Sequence, residues 1–387
     1  MTKALGRAKT YSLLATTSLS TLGGSMLGIY ISAYLMDMHV STFLLSLYFS
    51  VGGISTILFS RFWGFLSDYY GKRKTLVVTF SLLSLIVSLG YLFVNDPEKF
   101  VLVAFVSSVI GMGASPAMFT LISELSSRRG TVFGYFGTMS GIMSTMGMII
   151  GGYVGDHFEK FMSVTLALLF NLMAVTVFTA SYKERESTTI PFKEALKKAA
   201  RDGFNYFNVA KIHILPIIAV GALISLGSGA TVTAFRMKTY EMVSEFKSLY
   251  GLVYSGGAIG GAISSMFYGR LCDRIGSRKL IIAALSMYIP YLFILMNVND
   301  WRLFAILWSV PISPAISISM QTMISEKTKY NERGVAISTY NMMNSMASIT
   351  GIMMGGIMMT MFYGYTCVLA LSIPAIIAAL VIAYRIH

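Results

Sequence analysis

Residues 64–74 read GFLSDYYGKRK, and about half a chain later residues 269–279 read GRLCDRIGSRK. Each copy lies between two long apolar runs and combines glycines, one aspartate and a group of cations. This pattern is typical of a short turn between two membrane-spanning helices, because it interrupts the apolar run and places positive charge at its end. Two copies indicate two structurally equivalent halves.

The composition excludes a soluble globular domain, since 55% of the 387 residues are hydrophobic and only 12% are charged. Apolar runs of about 20 residues suit helices that cross a bilayer, whereas barrel strands would alternate over segments of about ten residues. We therefore predict an all-α integral membrane protein with twelve spans. The predicted spans are residues 11–36, 41–62, 76–94, 100–123, 131–154, 161–182, 212–236, 248–268, 280–298, 302–325, 335–361 and 364–385.

The positions of the cations predict the orientation. With the N-terminus inside, 24 of the 30 Lys and Arg residues fall on the cytoplasmic side, as the positive-inside rule requires. We therefore expect a multi-pass protein of the cell membrane with both termini in the cytoplasm and no cleavable signal peptide. The net charge of +13 is explained by this sorting, so nucleic acid is not an expected partner.

The repeat extends beyond the doubled turn, at a nearly constant offset of 204 or 205 residues in spans 1, 2 and 5. Three glycines of span 5 recur in span 11: Gly147, Gly151 and Gly152 correspond to Gly351, Gly355 and Gly356. Glycines at this spacing allow helices to approach closely. We predict an N-terminal six-helix half at 1–182 and a C-terminal half at 212–387.

Residues 183–211 form the one extended polar stretch and are predicted to link the halves. Their second part alternates apolar residues with Lys and Arg at helical spacing, which predicts a helix lying on the cytoplasmic membrane surface. Pro191 suits its first turn. A calmodulin-like partner is the alternative interpretation of the same pattern.

These features together resemble the major facilitator superfamily, in which the turn between spans 2 and 3 reads approximately Gly-x-Leu-Ala-Asp-Arg-x-Gly-Arg-Arg/Lys. The first copy matches at Gly64, Leu66, Asp68, Gly71, Lys72 and Arg73, and the second at Gly269, Leu271, Asp273, Arg274, Gly276 and Arg278. Tyr69 departs from the pattern. The resemblance covers the whole chain, and it implies a transporter whose two halves rock around a site near the bilayer midplane.

The doubled turn predicts a gate. The carboxylate of Asp68 would be favourable at the positive end of a neighbouring helix, and the resemblance implies the start of span 11 as its target, with Asp273 facing span 5. Matching glutamates supply partners for the cations, Glu124 for Lys72 or Arg73 and Glu326 for Arg278. The alternative is that all these charges only anchor the loops and fix the topology.

No ionisable side chain lies near the centre of any predicted span. A small neutral or amphipathic solute is therefore the expected substrate, because a charged one would need a buried counter-charge. Candidate substrate-binding residues are Tyr30, Tyr34, Ser228, Thr231, Trp308, Asn341 and Asn344. For the two asparagines, hydrogen bonding between helices is the alternative role.

Energy coupling stays open. The proline of the Gly-Pro-x-x-Gly-Gly element of many antiporters is missing from span 5, and span 1 holds no acid between Tyr11 and Met36. Either protons are coupled through a residue near a span end, such as Asp37, Asp156 or Arg236, or the protein is a facilitator. The pattern is nearest to drug and small-solute efflux members of the family.

Other functions are compatible with parts of this pattern. An uptake permease for a sugar or organic acid would share every feature above, and so would a non-transporting sensor on the same fold. An enzyme is not expected, because the four histidines lie at span ends or the terminus and no His/Asp/Glu cluster suggests a metal or cofactor. We expect a monomer whose partners are the lipid bilayer, a small-molecule substrate and, if coupled, protons.

Replacing Asp68 with Asn should abolish transport while the protein stays inserted and folded, because the amide removes the charge that faces the helix end. Flux in proteoliposomes and gel filtration of the same preparation measure the two properties. Wild-type flux in the variant would refute the gating role.

Overall fold

The computed structural model describes residues 2–123, 129–182, 190–203, 214–328 and 333–386, and these are helical almost throughout, without a strand. The helices are α1 (Thr2–Asp37), α2 (Thr42–Tyr70), α3 (Arg73–Ser88), α4 (Gly90–Phe93), α5 (Pro97–Gly111), α6 (Ser115–Ser123), α7 (Arg129–His157), α8 (Lys160–Ser181), α9 (Phe192–Gly203), α10 (Leu215–Met242), α11 (Lys247–Ile275), α12 (Ser277–Asn297), α13 (Trp301–Trp308), α14 (Ile312–Lys327), α15 (Arg333–Phe362) and α16 (Leu369–Arg385). A 3₁₀ turn, Tyr365–Val368, precedes α16. The all-α prediction is confirmed.

Spanning helices can be counted within the described ranges. Nine segments are long and apolar enough to cross a bilayer, when α3 with α4, α13 with α14, and the 3₁₀ turn with α16 each count as one. The pair α5 and α6, bent by 41°, makes ten. Both α7 and α11 have 29 residues, which is spanning length, but α7 is rich in Gly, Ser and Thr and α11 in Gly and Ser, so both are less apolar. By length alone these two complete the predicted twelve.

The doubled motif forms two equivalent turns. The first joins α2 to α3 at Gly71, with φ of +73°, and the second joins α11 to α12 at Gly276, with φ of +88°. Side chains disfavour this left-handed region, and glycine adopts it without a steric cost. The second glycine of each copy is thus required by the backbone of the turn. We call this end of the helices the motif end.

In the first half, α7 crosses α1 closely at two glycines. A Cβ atom added to Gly147 of α7 would lie 2.4 Å from the carbonyl oxygen of Leu22 on α1, and one on Gly151 would lie 2.6 Å from that of Met26. These distances are shorter than real Cβ contacts. The backbones of α1 and α7 therefore touch only because both positions are glycine.

The second half repeats this crossing at an offset of 204 residues. A Cβ on Gly351 of α15 would lie 2.2 Å from the carbonyl oxygen of Leu226 on α10, and one on Gly355 would lie 2.2 Å from that of Ala230. At the first-half crossing, the hydroxyls of Ser25 on α1 and Ser144 on α7 share a 2.8 Å hydrogen bond. The equivalent positions in the second half are Gly229 and Ser348, where a Cβ on Gly229 would lie 2.4 Å from the Ser348 carbonyl oxygen.

The chain divides into two compact units. The first comprises Met1–Ser32 and Ser55–Phe207, and the second comprises Ala33–Ile54 and Asn208–His387. The sequence-based boundary assigned all of 1–182 to the first half. In the structure, the last residues of α1 and the first part of α2 instead group with the helices of the second half. We call the end of the helices that carries Ala33–Ile54 the opposite end.

The linker helix α9 packs on protein through small residues. Ala195 and Ala199 are fully buried in the core of the first unit, together with Leu66 of α2. Phe192 remains 43% exposed and meets the ring of Tyr70 edge-on at 5.3 Å. The predicted helix is therefore present, and its alanine face rests on the motif end of α2.

A hydrogen bond fixes the far end of α9. The Tyr69 hydroxyl donates to Asp202 Oδ2 at 2.8 Å, and Arg201 Nε donates to Oδ1 at 3.1 Å. These donors, the Tyr69 hydroxyl first, lower the pKa of Asp202. Because the folded pKa is lowered, the bond stabilises the docked helix above the ordinary carboxyl pKa and is lost as pH falls through the lowered value.

The crossing generates a stability prediction with a control on the same helix. Gly147→Ala should destabilise the protein by about 1–3 kcal/mol, the usual cost of overpacking a tight contact. Gly137→Ala should not, because its Cβ would meet no described atom within 4 Å and alanine favours the helix by about 0.5–1 kcal/mol. Thermal unfolding in detergent compares them. Equal midpoints would contradict the crossing.

Candidate functional site

The acidic residue of each motif copy is solvent-accessible. Both Asp68 and Asp273 are exposed at the motif end. Nothing described lies within 4 Å of a Cβ added to Gly64 or Gly269. The expected targets of the two aspartates, near Gly334-Val335 and Gly130-Thr131, lie where side chains are outside the described residues. The aspartate latch therefore stays a prediction.

The cations of the two copies differ in their surroundings. Lys72 is exposed and Arg73 is half-buried at the start of α3, while Glu124, their expected partner, lies outside the described residues. In the second copy the Ser277 hydroxyl donates to Glu326 Oε2 at 2.7 Å, and the Arg278 guanidinium donates to the Tyr384 carbonyl at the end of α16. Among the described contacts, Arg278 thus stabilises a helix C-terminus rather than pairing with Glu326.

At the opposite end, an ion pair within the second unit joins the last residue of α1 to α11. Asp37 Oδ2 lies 2.6 Å from Lys247 Nζ at the start of α11, and the Tyr240 hydroxyl of α10 donates to Asp37 Oδ1. Lys247 is 17% exposed and Asp37 is 30% exposed. Partial burial weakens the screening that makes exposed pairs nearly neutral. The end of α1 is therefore held by charge and a hydrogen bond.

Hydroxyl contacts hold the first turns of α2 within the same unit. The Thr42 hydroxyl donates to the Gly356 carbonyl at 3.1 Å and lies 2.5 Å from the Thr360 hydroxyl, both on α15. The hydroxyls of Ser46 on α2 and Thr233 on α10 share a 2.8 Å hydrogen bond. A Cβ on Gly356 would lie 2.1 Å from Ser46 Oγ, so this glycine is what allows α2 to approach.

Arg236 lies in an aromatic cluster of the same unit. Its guanidinium carbon is 4.5 Å from the centroid of Phe49 and 5.2 Å from that of Tyr254, distances at which rings attract a cation. Trp308 meets Tyr254 edge-on at 5.1 Å and extends the cluster. Arg236 therefore helps to hold α2 at the opposite end, through the ring of Phe49. We call the contacts of Asp37, Thr42, Ser46 and Arg236 the opposite-end clasp.

A cavity of about 600 Å³ lies inside the first unit. Its wall comes from α1, α3, α5, α6, α7 and α8. It carries nine hydroxyls and one amide, and no charged side chain is among the lining residues: the polar ones are Thr16, Thr17, Ser20, Thr21, Ser81, Ser84, Ser88, Ser115, Ser140 and Asn171. This volume is in the range of small-molecule sites.

The bend between α5 and α6 shapes the wall of the cavity. A Cβ on Gly111 would lie 3.1 Å from Ser84 Oγ, and one on Gly113 would lie 2.7 Å from the Phe80 ring. These glycines allow α3 to pack at the bend. The Ser84 hydroxyl donates to the Ser107 carbonyl at 2.9 Å, which satisfies one backbone acceptor near the bend.

None of the seven predicted substrate residues lines this cavity. Tyr30 belongs to the first unit and is 3% exposed, whereas Tyr34 falls in the second. In the second unit Thr231 is buried and donates to the Ser228 carbonyl. Asn341 is exposed and Asn344 packs against Gly221.

The sequence did contain a signal for the cavity. Thr16, Thr17, Ser20 and Thr21 recur on one face of α1, and Ser81, Ser84 and Ser88 recur on one face of α3. Hydroxyls at helical spacing within a membrane span form a polar stripe. The predicted Ser and Thr candidates, Ser228 and Thr231, lie on α10 and belong to neither stripe.

The fold and the comparisons together define the class of protein. The family model of the Major Facilitator Superfamily matches residues 13–245 and 217–386. The chain belongs to this family, and it is a multi-pass membrane transporter of small molecules rather than an enzyme.

Two relatives are similar over different lengths. The chain is 23% identical over 315 residues to the multidrug resistance protein MdtG of Proteus mirabilis, covering 79% of this chain and 77% of that protein. It is 26% identical over 246 residues to MdtG of Klebsiella pneumoniae, covering 62% of this chain and 58% of that one. The resemblance to efflux members of the family is thus confirmed.

Solved structures agree on the fold. A crystal structure of the nucleoside transporter NupG superposes with a TM-score of 0.74 at 14% identity, covering 99% of this chain and 98% of that one. A bacterial homologue of the iron transporter ferroportin superposes with a TM-score of 0.67 at 16% identity, covering 97% and 98%. At these identities the similarity concerns the fold alone.

Proposed function

We propose that this transporter exports a small neutral or amphipathic solute by alternating access, with its motif end facing the cytoplasm. The observation that carries the proposal is the contrast between two kinds of helix contact. The α1–α7 and α10–α15 crossings are backbone contacts through glycine. The opposite-end clasp consists of an ion pair and hydrogen bonds made by side chains, groups for which water offers similar partners once they separate.

The location of the clasp suits a gate. It ties Ala33–Ile54, which belongs to the first half by sequence, to helices of the second half. For a central site to open at the opposite end, these contacts have to separate, because they join segments that belong to different halves. The glycine crossings join helices of the same half and keep each half rigid during this step.

Export is favoured over uptake by the relatives. MdtG of Proteus mirabilis and of Klebsiella pneumoniae are named multidrug resistance proteins. A neutral or amphipathic cargo fits the absence of charge from the cavity wall of the first unit. We extend the export function to this chain on those two grounds.

We further propose that Asp37 carries the coupled proton. It faces Lys247 and the Tyr240 hydroxyl, and His39 follows it in the next turn. A proton on the carboxylate removes the charge that holds Lys247, which weakens the clasp and favours opening at that end. Deprotonation restores the ion pair and closes it.

A reversible cross-link tests the clasp. With the two native cysteines replaced by serine, Thr42→Cys and Thr360→Cys place two thiols where the hydroxyls now lie 2.5 Å apart. Oxidation should stop the flux of a neutral amphipathic dye, N-phenyl-1-naphthylamine, in proteoliposomes, because it locks the clasp, and reduction should restore it. Each single-cysteine variant, treated identically, is the control. Undiminished flux through a fully cross-linked transporter would exclude a gate here.

The same vesicles test the coupling. Wild-type flux should rise with an imposed pH gradient, and Asp37→Asn should remove that dependence, because the amide cannot take up a proton. Flux that is indifferent to the gradient in the wild type identifies a facilitator and refutes the proton proposal. No flux under any condition, with ligand binding intact, supports a sensor instead.

A further inference from the structure

The cavity of the first unit differs chemically from a general apolar gap. Six of its polar side chains already donate a hydrogen to a backbone carbonyl: Thr16, Thr17, Thr21, Ser84, Ser88 and Asn171. Their oxygen lone pairs remain free to accept. The wall is therefore rich in acceptors, and its lining residues include no charged side chain.

Apolar rings complete the wall. Phe136 and Phe178 are buried, and Phe119 is 62% exposed beside the exposed Ser115 on α6. The exposed lining residues lie on α1, α6 and α7, so the cavity opens between these helices. Such a wall suits a molecule with an aromatic body and a polar hydrogen.

The second half does not repeat this wall. At the offset of 204 residues, Gly137 and Ser140 of α7 become Asn341 and Asn344 of α15, and Thr17 of α1 becomes Gly221 of α10. A Cβ on Gly221 would lie 2.8 Å from Asn344 Oδ1 and 2.4 Å from the Tyr340 ring. Asn341 and Asn344 are larger than Gly137 and Ser140, and Tyr340 with Asn344 fills the space beside Gly221, whereas the counterparts of these residues in the first half line the cavity.

We propose that the first unit alone binds a neutral, ring-bearing molecule with an N–H or O–H donor, within its own helix bundle. The inference rests on the proposed function for its ligand class, since such a molecule is the expected cargo. The acceptors of α1, α3 and α8 take the ligand's hydrogen, and the phenylalanines cover its ring. Charged molecules bind weakly, because no lining side chain offsets their desolvation.

The test uses two dyes with the same ring system. N-phenyl-1-naphthylamine is neutral and has one N–H donor, and 8-anilino-1-naphthalenesulfonate adds a negative charge. The saturable fluorescence of each dye is measured with the purified protein in nanodiscs, after subtraction of empty nanodiscs. The neutral dye should bind at least tenfold more tightly, a factor equivalent to about 1.4 kcal/mol.

Variants locate the bound dye. Gly137→Asn with Ser140→Asn gives the first half the side chains of the second, and it should lower the affinity for the neutral dye at least tenfold, or about 1.4 kcal/mol, by filling the cavity. Thr138→Asn, on the same helix but outside the wall, should leave it unchanged. If the double variant does not fold, Ser20→Leu at the exposed rim replaces it, with the same expected loss.

Three results would overturn the proposal: no saturable binding by the wild type, equal affinity for both dyes, or unchanged affinity in the filled variant. Binding is measured without flux, so the outcome is independent of the clasp experiment. If the dye does not bind but transport works and is stopped by the cross-link, only the binding proposal fails. If transport itself fails, the transport proposal fails.

Discussion

Direct backbone contact between helices of the same half is the constraint on which this structure depends. Gly147 and Gly151 rest on carbonyl groups of α1, and Gly351 and Gly355 rest on those of α10. Each contact is closer than any side chain permits. Since a protein interior resists deformation, these crossings oppose rearrangement within a half, and the proposed change of access therefore places the movement between the halves.

The contacts at the opposite end are electrostatic and hydrogen-bonding contacts of side chains, not contacts between two backbones. Asp37, Thr42, Ser46 and Arg236 contribute an ion pair, hydroxyl hydrogen bonds and cation–π contacts. A hydrogen bond of this type contributes a net stability of about 0.5–1.5 kcal/mol, because water offers similar partners after it breaks. Contacts of this kind suit a surface that has to form and separate repeatedly.

Much of the fold could be predicted from the sequence. The doubled motif predicted two equivalent turns, and the positive φ of Gly71 and Gly276 gives the physical reason for their glycines. The offset of 204 residues identified the glycines of both crossings before their partners were known. These features are local or periodic, so a single sequence reveals them.

The site was less predictable. The pairing of Arg278 with Glu326 was inferred from charge alone, whereas its guanidinium contacts the Tyr384 carbonyl, a partner 106 residues away that no motif marks. The sequence predicted a membrane-surface position for α9, whereas Ala195 and Ala199 are buried against the protein core of the first unit. The cavity was missed because Thr16 and Ser84 belong to hydroxyl stripes on separate helices that only the fold brings together.

Spin-label distances in lipid test the central claim, two rigid halves with a clasp at one end, most directly. Labels at Ser41 and Met361 report on the opposite end, and labels at Lys193 and Lys279 on the motif end. Introducing Asp37→Asn should lengthen the first distance and shorten the second, while a pair inside one half, Ile142 and Met173, stays constant. Unchanged end distances, or a change within the half, would contradict the account.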